Sequence, residues 1–362
     1  MRPVVLYIPN EASIGDQRGY RRGLQSLADQ GFVEHVHVLS LLAAVRSGRG
    51  PKARALLDDV VLTAKPDVIW LQHIQGCGLT AAHFSRWRDA GVSCVVYQEM
   101  DPFAPVRNPL PDDAATAARH ADLVLTSGAG TFVDNLRRTG APRVEWIRQT
   151  CDIETFGAGD TDSWTPEFDV AVIANASRPR LPWRGHPGGR ARRRFIEIAS
   201  QEFGARLALY GNGWSGQSAR GPVPFWEQGD ALGTSWVSAN WDHYPREPRY
   251  FSNRLAISLA AGGIHFTTHH PGYEDFLPVN AGFLHTADTP AELVAAIRTF
   301  LADVAPAERR ALAGAGRHWA RDNLDQATLP AEILERALGR SLAPSGSANT
   351  RSSFTEHTVE SE

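Results

Sequence analysis

Short runs of β-branched and aliphatic residues recur along the chain, and stretches with helical periodicity separate them. In the first half the runs are Val4–Ile8, Val36–Leu39, Val68–Leu71, Cys94–Tyr97, Leu123–Thr126 and Val144–Ile147. Amphipathic segments such as Gly19–Gln30, Ala53–Ala64 and Ala115–His120 lie between them. Gly31, Gly91 and Gly140 each follow such a segment, where a left-handed residue ends a helix. Strand and helix in strict alternation predict βα units that feed a parallel sheet.

The polar stretch Asp152–Pro166 breaks the alternation and reads as a linker. The pattern then restarts. Strands are predicted at Phe168–Ile173, Leu207–Tyr210, Ser235–Ser238, Ile264–Thr268 and Phe283–His285. Helices are predicted at Arg190–Phe203, Ser252–Ala261, Ala291–Leu301, Ala307–Asn323 and Leu329–Leu338. A chain of 362 residues exceeds what one hydrophobic core usually organises. The expected fold class is therefore α/β, with two Rossmann-like doubly wound lobes facing a cleft. Residues 1–150 form the first lobe, 151–166 the linker and 167–340 the second lobe. Residues 341–362, rich in Ser, Thr and Glu, are expected to be a disordered tail. In open parallel sheets, ligands sit beyond the carboxyl ends of the strands, so the loops after each strand are where chemistry is expected.

Composition narrows the function classes. A net charge of −3 offers no field for a polyanion, so no nucleic-acid partner is expected. Cys77, Cys94 and Cys151 are scattered, odd in number and without C-x-x-C spacing, which speaks against a disulfide framework or structural zinc. Met1-Arg2-Pro3 runs straight into a strand, too short a lead for a secretory segment. No apolar run approaches the roughly 18 residues that would span a bilayer. The expectation is a cytoplasmic protein with no membrane span.

Four blocks of the second half carry a family resemblance. They are Phe168–Ile173 followed by Arg178; Leu209-Tyr210-Gly211-Asn212-Gly213-Trp214; Asn253-Arg254-Leu255 through Gly262-Gly263; and Pro271–Phe276 with Asp288–Leu293. A looser match runs from Ala121–Ser127 through Val144–Ile147 to Cys151–Phe156. Across residues 120–325 the chain resembles the CgeB-like (spore maturation protein) branch of the GT-B glycosyltransferases. The resemblance implies a metal-independent enzyme that moves a sugar from a nucleotide diphosphate-sugar co-substrate to a hydroxyl or similar acceptor, with no other cofactor. It implies that the first lobe takes the acceptor, whose identity is unknown, and the second the nucleotide sugar. Ile257 stands where such enzymes usually carry a ribose-gripping glutamate, and Arg249 where many carry a second one. An isoleucine accepts no hydrogen bond from a diol. A non-catalytic nucleotide-sugar or glycan-binding relative and a GT-B-fold nucleotide-sugar epimerase therefore stay open as alternatives.

Candidate residues follow from loop position. Ser252 is a good N-cap, and its helix offers free N–H groups and a partial positive charge to a diphosphate. Arg254 adds a bidentate phosphate contact, and Asn253 shares that turn. Gly272 allows close backbone approach, while Glu274, with Tyr273 beside it, is placed to orient sugar or ribose hydroxyls. Gly211 suits a tight turn, Trp214 is a stacking candidate, and Asn175 follows the first strand of its lobe. In the first lobe, Glu11 and Gly15 follow the first strand and are candidates for acceptor contact. An inverting transferase needs a general base, and His73, Glu99 and Asp101 are the candidates. No metal site is expected: Asp160-Thr161-Asp162 has the D-x-D form but lies in the linker. Arg192-Arg193-Arg194 reads as a solvated basic face and His269-His270 as a substrate-side loop.

Overall fold

The structure is a computed structural model that describes residues 2–103, 108–157, 164–176, 185–279, 281–343 and 354–359. The chain forms two compact units, Met1–Ile147 with Gln326–Glu362, and Arg148–Asp325.

In the first unit, β1 (Val4–Ile8), β2 (His35–Leu39), β3 (Val68–Gln72), β4 (Cys94–Glu99), β5 (Leu123–Thr126) and β6 (Val144–Trp146) lie in the order β2-β1-β3-β4-β5-β6. Every pairing is parallel. Successive strand residues point to opposite faces, and both faces are buried. Leu6 and Ile8 join Ile69 and Leu71 on one face, under Ala53, Leu57, Val60 and Val61 of the helix Gly50–Ala64. Val5 and Tyr7 join Val68 and Trp70 on the other, under Tyr20 and Leu24 of the helix Arg18–Asp29. The strand order reverses between β1 and β3, so the loops after these two strands diverge at one point of the carboxyl edge.

The second unit repeats the plan. Its strands are β7 (Phe168–Ile173), β8 (Leu207–Tyr210), β9 (Ala219–Gly221), β10 (Ser235–Asn240), β11 (Ile264–Thr268) and β12 (Leu284–Ala287), all parallel in the order β12-β11-β10-β7-β8-β9. The order reverses between β7 and β10. Val170 and Val172 face Phe195, Ile196, Ala199 and Phe203 of the helix Gly189–Phe203, while Ala171 and Ile173 face the helix Asn253–Ala260. That second helix buries every residue from Leu255 to Ala260, Ile257 included. Ile257 is a core residue here. The Thr289–Glu292 capping box starts the helix Pro290–Asp303: Thr289 Oγ1 accepts the Glu292 N–H and the Glu292 carboxylate accepts the Thr289 N–H. Strand β9, Ala-Arg-Gly, has no apolar period and was not expected from the sequence.

Three boundaries differ from the sequence expectation. The division between units falls at Ile147/Arg148, and Ile153 and Phe156 of the expected linker are buried in the second unit's core. Residues 158–163, including Asp160-Thr161-Asp162, lie outside the described residues. The helix Leu329–Leu338, expected in the second lobe, belongs to the first unit, because Leu329, Ile333 and Leu334 complete the core over β1, β3 and β4. The expected disordered tail contains β13 (Phe354–His357), which pairs parallel with β2 and makes the first sheet seven-stranded. A sheet edge presents unpaired N–H and C=O groups, and β13 satisfies those of β2.

Gly211, just after β8, has φ +134° and lies against the end of β7: a Cβ there would stand 2.0 Å from the Ala174 carbonyl oxygen. Gly211→Ala is expected to lower the unfolding free energy by about 2 kcal/mol or more. Urea denaturation checks this, and a variant as stable as the parent would refute the packing argument.

Candidate functional site

In the first unit, β3 and β4 end side by side, with Gln72 level with Gln98. The next residue after β3, His73, has φ +41°, a left-handed conformation that costs a non-glycine residue free energy. Two contacts hold it. Its N–H donates to the Gln98 carbonyl at 3.2 Å, and its Nδ1 meets Glu99 Oε1 at 3.2 Å. The Glu99 side chain is fully buried, its Oε2 accepting from the Tyr97 hydroxyl at 2.6 Å and its Oε1 from the Asp101 N–H at 3.0 Å. Asp101 Oδ2 stands 3.6 Å from His73 Nδ1.

The three candidate bases thus form one cluster with distinct parts. Burial alone would lower the His73 pKa, but the Glu99 hydrogen bond and charge, with Asp101 behind them, outweigh it and raise the imidazole above its usual value. With Nδ1–H turned to Glu99, Nε2 is the lone-pair nitrogen of the neutral ring and has no partner among the described residues. This is the arrangement of a base oriented by a carboxylate. The donor atoms of His73, Glu99 and Asp101 lie within 4.8 Å of one another, close enough to share a cation. Beneath them runs an amide relay that the sequence did not announce. Tyr7 donates to Gln72 Oε1 at 2.6 Å, Gln72 Nε2 to Gln98 Oε1 at 2.7 Å, and Gln98 Nε2 to Tyr20 at 2.9 Å. Its only trace in the sequence is a glutamine near the end of each apolar run.

Glu11 is not available to an acceptor. It is buried, its carboxylate takes both terminal nitrogens of Arg21 at 2.7 and 2.9 Å, and it accepts the Ser40 hydroxyl. It anchors the loop after β1. Gly15 turns that loop at φ +90° with open space around its Cα.

In the second unit, a polar network gathers at the carboxyl ends of β7, β10 and β11. Asp242, two residues past β10, is buried and pairs with His270 Nε2 at 3.2 Å. It also accepts from Asn240 Nδ2 at 2.7 Å, and its N–H donates to Thr268 Oγ1 at 2.8 Å. Burial would raise its carboxyl, but the His270 bond and charge, Arg192 and Asn240 prevail and hold it below the usual range. His270 is likewise buried, with Nδ1 on the Glu247 carbonyl at 3.0 Å. It is a structural partner, not an open substrate-side loop. Its neighbour His269 stands 3.8 Å from Glu274, which is exposed.

Arg192, expected on a solvated face, is 5% exposed. Its Nε donates to the Trp241 carbonyl at 2.6 Å and its Nη1 to His243 Nε2 at 2.7 Å. No carboxylate lies within ion-pair distance of it among the described residues. Burial, and then the neighbouring charge of Arg254, brings its guanidinium down to about 10. Burial and the Arg192 charge press His243 down to about 2, so it stays neutral and accepts at Nε2. Helical periodicity distinguishes one arginine of three only once the partner face is known.

Ser252 occupies the N-cap position, but its hydroxyl does not cap the helix and instead receives Asn240 Nδ2 at 3.4 Å. The first-turn N–H groups, those of Asn253 and Arg254 among them, are therefore not closed off by that side chain. Three sealed polar atoms here lack a hydrogen-bond partner among the described residues: Arg254 Nε, Asn240 Oδ1 and Trp241 Nε1. Buried polar atoms are nearly always satisfied, and a cluster of orphans calls for a ligand or water.

The other expected donor contacts divide. Tyr273 is wholly buried, its hydroxyl on the Tyr250 carbonyl at 2.8 Å, so its side chain is core. Trp214 donates its Nε1–H to the Ala174 carbonyl and packs its ring on the core, which removes it as a freely stacking platform. Asn175 Oδ1 accepts the Asn212 N–H at 2.9 Å and ties the loops after β7 and β8 together. Gly272, at φ +82°, opens the turn Tyr273–Asp275. Arg249 pairs with Asp275 at 2.7 Å. Ser177 and Arg178 lie outside the described residues.

Residues 190–329 match the family model described as "Glycosyl transferase-like". Among solved structures, the chain is similar to a glycosyltransferase from Rickettsia africae, with 11% identity and TM-score 0.60 over 94% of this chain and 100% of that one. HepE from Anabaena, solved with UDP and glucose, shares 14% identity at TM-score 0.56 over 93% of this chain and 100% of its own. Sucrose-phosphate synthase from Thermosynechococcus elongatus shares 15% identity at TM-score 0.54, over 94% and 99%. The fold is GT-B. No curated protein matches the sequence. No helix among the described residues is long and apolar enough to cross a membrane.

Removing the buried Asp242 charge takes from His270 Nε2 the carboxylate it meets at 3.2 Å and from the Asn240 amide its acceptor. Asp242→Asn is expected to cost about 3–5 kcal/mol of stability at neutral pH. Because the folded carboxyl titrates below its free value, the parent's advantage is complete above the free pKa near 3.9 and fades as pH falls through the depressed value. Denaturant titrations at pH 7 and pH 3 check both statements; a neutral substitution at pH 7 would refute them.

Proposed function

We propose that the chain is a metal-independent glycosyltransferase of the CgeB-like branch, which moves a sugar from a nucleoside diphosphate to an acceptor hydroxyl. The observation that carries this reading is a pair of guanidiniums at the second sheet's point of reversal with no carboxylate in ion-pair contact among the described residues. Arg192 is buried without a carboxylate, Arg254 lies near enough to depress it, and Arg254 Nε is sealed without a partner among the described residues. Buried charge of one sign is costly unless a counter-charge arrives, and a diphosphate supplies one. The matched segment 190–329 spans both arginines. HepE was crystallised with UDP, which makes uridine diphosphate the first nucleotide to try.

In the transfer, the acceptor oxygen bonds to the anomeric carbon as the bond from that carbon to the diphosphate oxygen breaks. The acceptor proton passes to His73 Nε2, and Glu99 steadies the imidazolium that forms. The charge on the departing diphosphate is met by Arg254, with Arg192 beside it and the first-turn amides of the helix Asn253–Ala260. Since those groups neutralise the leaving group, a chelator is expected to leave activity unchanged. Three buried free thiols fit a reducing compartment, and the reading places the protein in the cytoplasm.

Calorimetric titration with UDP, ADP, GDP and TDP is expected to show binding to at least one, weakened roughly 10- to 100-fold by Arg254→Met. Absence of binding at millimolar concentration would sink the reading. Binding with neither transfer nor donor hydrolysis would favour a non-catalytic relative, and conversion of the donor sugar without an acceptor would favour an epimerase.

His73→Ala is expected to lower kcat by roughly 10²- to 10⁴-fold and leave nucleotide affinity intact. The base must be neutral, and Glu99 and Asp101 raise its pKa, so the rate should climb with pH through a value above 6.5. Asp101→Asn should move that limb towards acid. Superimposed profiles for parent and Asp101→Asn would remove His73 from the role.

A further inference from the structure

Strand β13 is fastened to β2 by imidazoles. His35 and His37 stack at 4.1 Å between ring centroids, and His37 stacks on His357 at 5.2 Å. His37 Nδ1 meets His357 Nε2 at 2.9 Å, a contact in which one ring must lend a lone pair. His35 Nε2 meets Thr355 Oγ1 at 2.9 Å. The main chain adds a parallel ladder from Phe354 level with Val36 to His357 level with Leu39.

Other charged groups among the described residues also face this seam. Glu356 pairs with Arg21 Nε at 2.9 Å, and Arg21 holds Glu11 with its two terminal nitrogens. Arg49 donates to the Val359 carbonyl. Glu34 acts on His35 and Asp59 on His357, each favouring the protonated ring. Burial outweighs Glu34 at His35, and burial with the His35 charge outweighs Asp59 at His357. His35 and His357 are lowered, and His37, with no carboxylate acting on it, is lowered to about 4.

We propose that residues 354–357 form a pH-labile strap, seated on β2 while His35, His37 and His357 are neutral and released when they are protonated. A docked imidazole with a depressed pKa contributes fully above the free value near 6.5 and loses its contribution as pH falls towards the depressed one. With His37 docked at about 4, that residue weakens seating by up to about 30-fold between pH 8 and pH 5, the share of its depression owed to His35 on the same strand remaining after release. The Arg21–Glu356 contact adds to the seating without involving an imidazole. Release takes from Arg21 its Glu356 contact and leaves it with Glu11 and Ser40, and so links the strap to the segment that follows β1.

Hydrogen exchange of the full chain tests this. After correction for intrinsic exchange, protection of the 354–357 amides is expected to fall by at least tenfold from pH 8 to pH 5. In the chain carrying His35→Gln, His37→Gln and His357→Gln together, the seating should no longer depend on pH. Unchanged protection in the parent, or the same loss in the triple variant, overturns the proposal. Should the triple variant fail to seat its strand even at pH 8, an NMR titration of His37 in the unaltered chain decides: a pKa well below 6.5 supports the strap, and one at or above 6.5 overturns it.

Discussion

Burial of both faces of each parallel sheet is the constraint from which the other features follow. Val5 and Tyr7 face one layer of helices while Leu6 and Ile8 face another, so neither face can carry unsatisfied polar groups. Val170 and Ala171 repeat this in the second unit. Polar chemistry is thereby pushed to the strand ends, and the carboxyl ends are where the loops begin. His73, Glu99 and Asp101 stand at the ends of β3 and β4, and Asp242 and the Trp241 carbonyl that receives Arg192 lie just beyond β10.

The two clusters solve opposite electrostatic problems. In the first unit a buried carboxylate, Glu99, is saturated by hydrogen bonds and uses its charge to raise an adjacent imidazole. In the second, the buried Asp242 is committed to His270 and Asn240, and among the described residues no carboxylate stands within ion-pair distance of the buried Arg192, which feels the charge of Arg254. The first arrangement favours accepting a proton. The second favours receiving an anion. The same logic, run on imidazoles alone, makes the β2–β13 seam sensitive to protonation.

Legibility in the sequence followed the range of the interaction. The strands and the βα alternation are local, set by β-branched runs and helical periodicity, and they could be read directly. The base candidates could be named from their place after a strand, since strand ends face solvent or ligand in this kind of sheet. The errors came where a partner distant in the chain decides. Arg192 looked like its neighbours Arg193 and Arg194 until the Trp241 carbonyl and His243 came to meet it. Tyr273 and Trp214 looked like ligand contacts, yet Tyr250 and Ala174 take their polar atoms. Leu329–Leu338 looked like the end of the second lobe because nothing local tells a helix which sheet it will cover.

By itself the sequence determined two α/β units, the alternation of layers within each, and the loops in which polar side chains gather, because period and turn chemistry act over a few residues. The tertiary structure alone decided that the chain returns to the first unit after Asp325, that Phe354–His357 becomes an edge strand, and which arginine is buried. Those outcomes depend on contacts between segments up to some three hundred residues apart, whose free energy appears only when both surfaces leave water together.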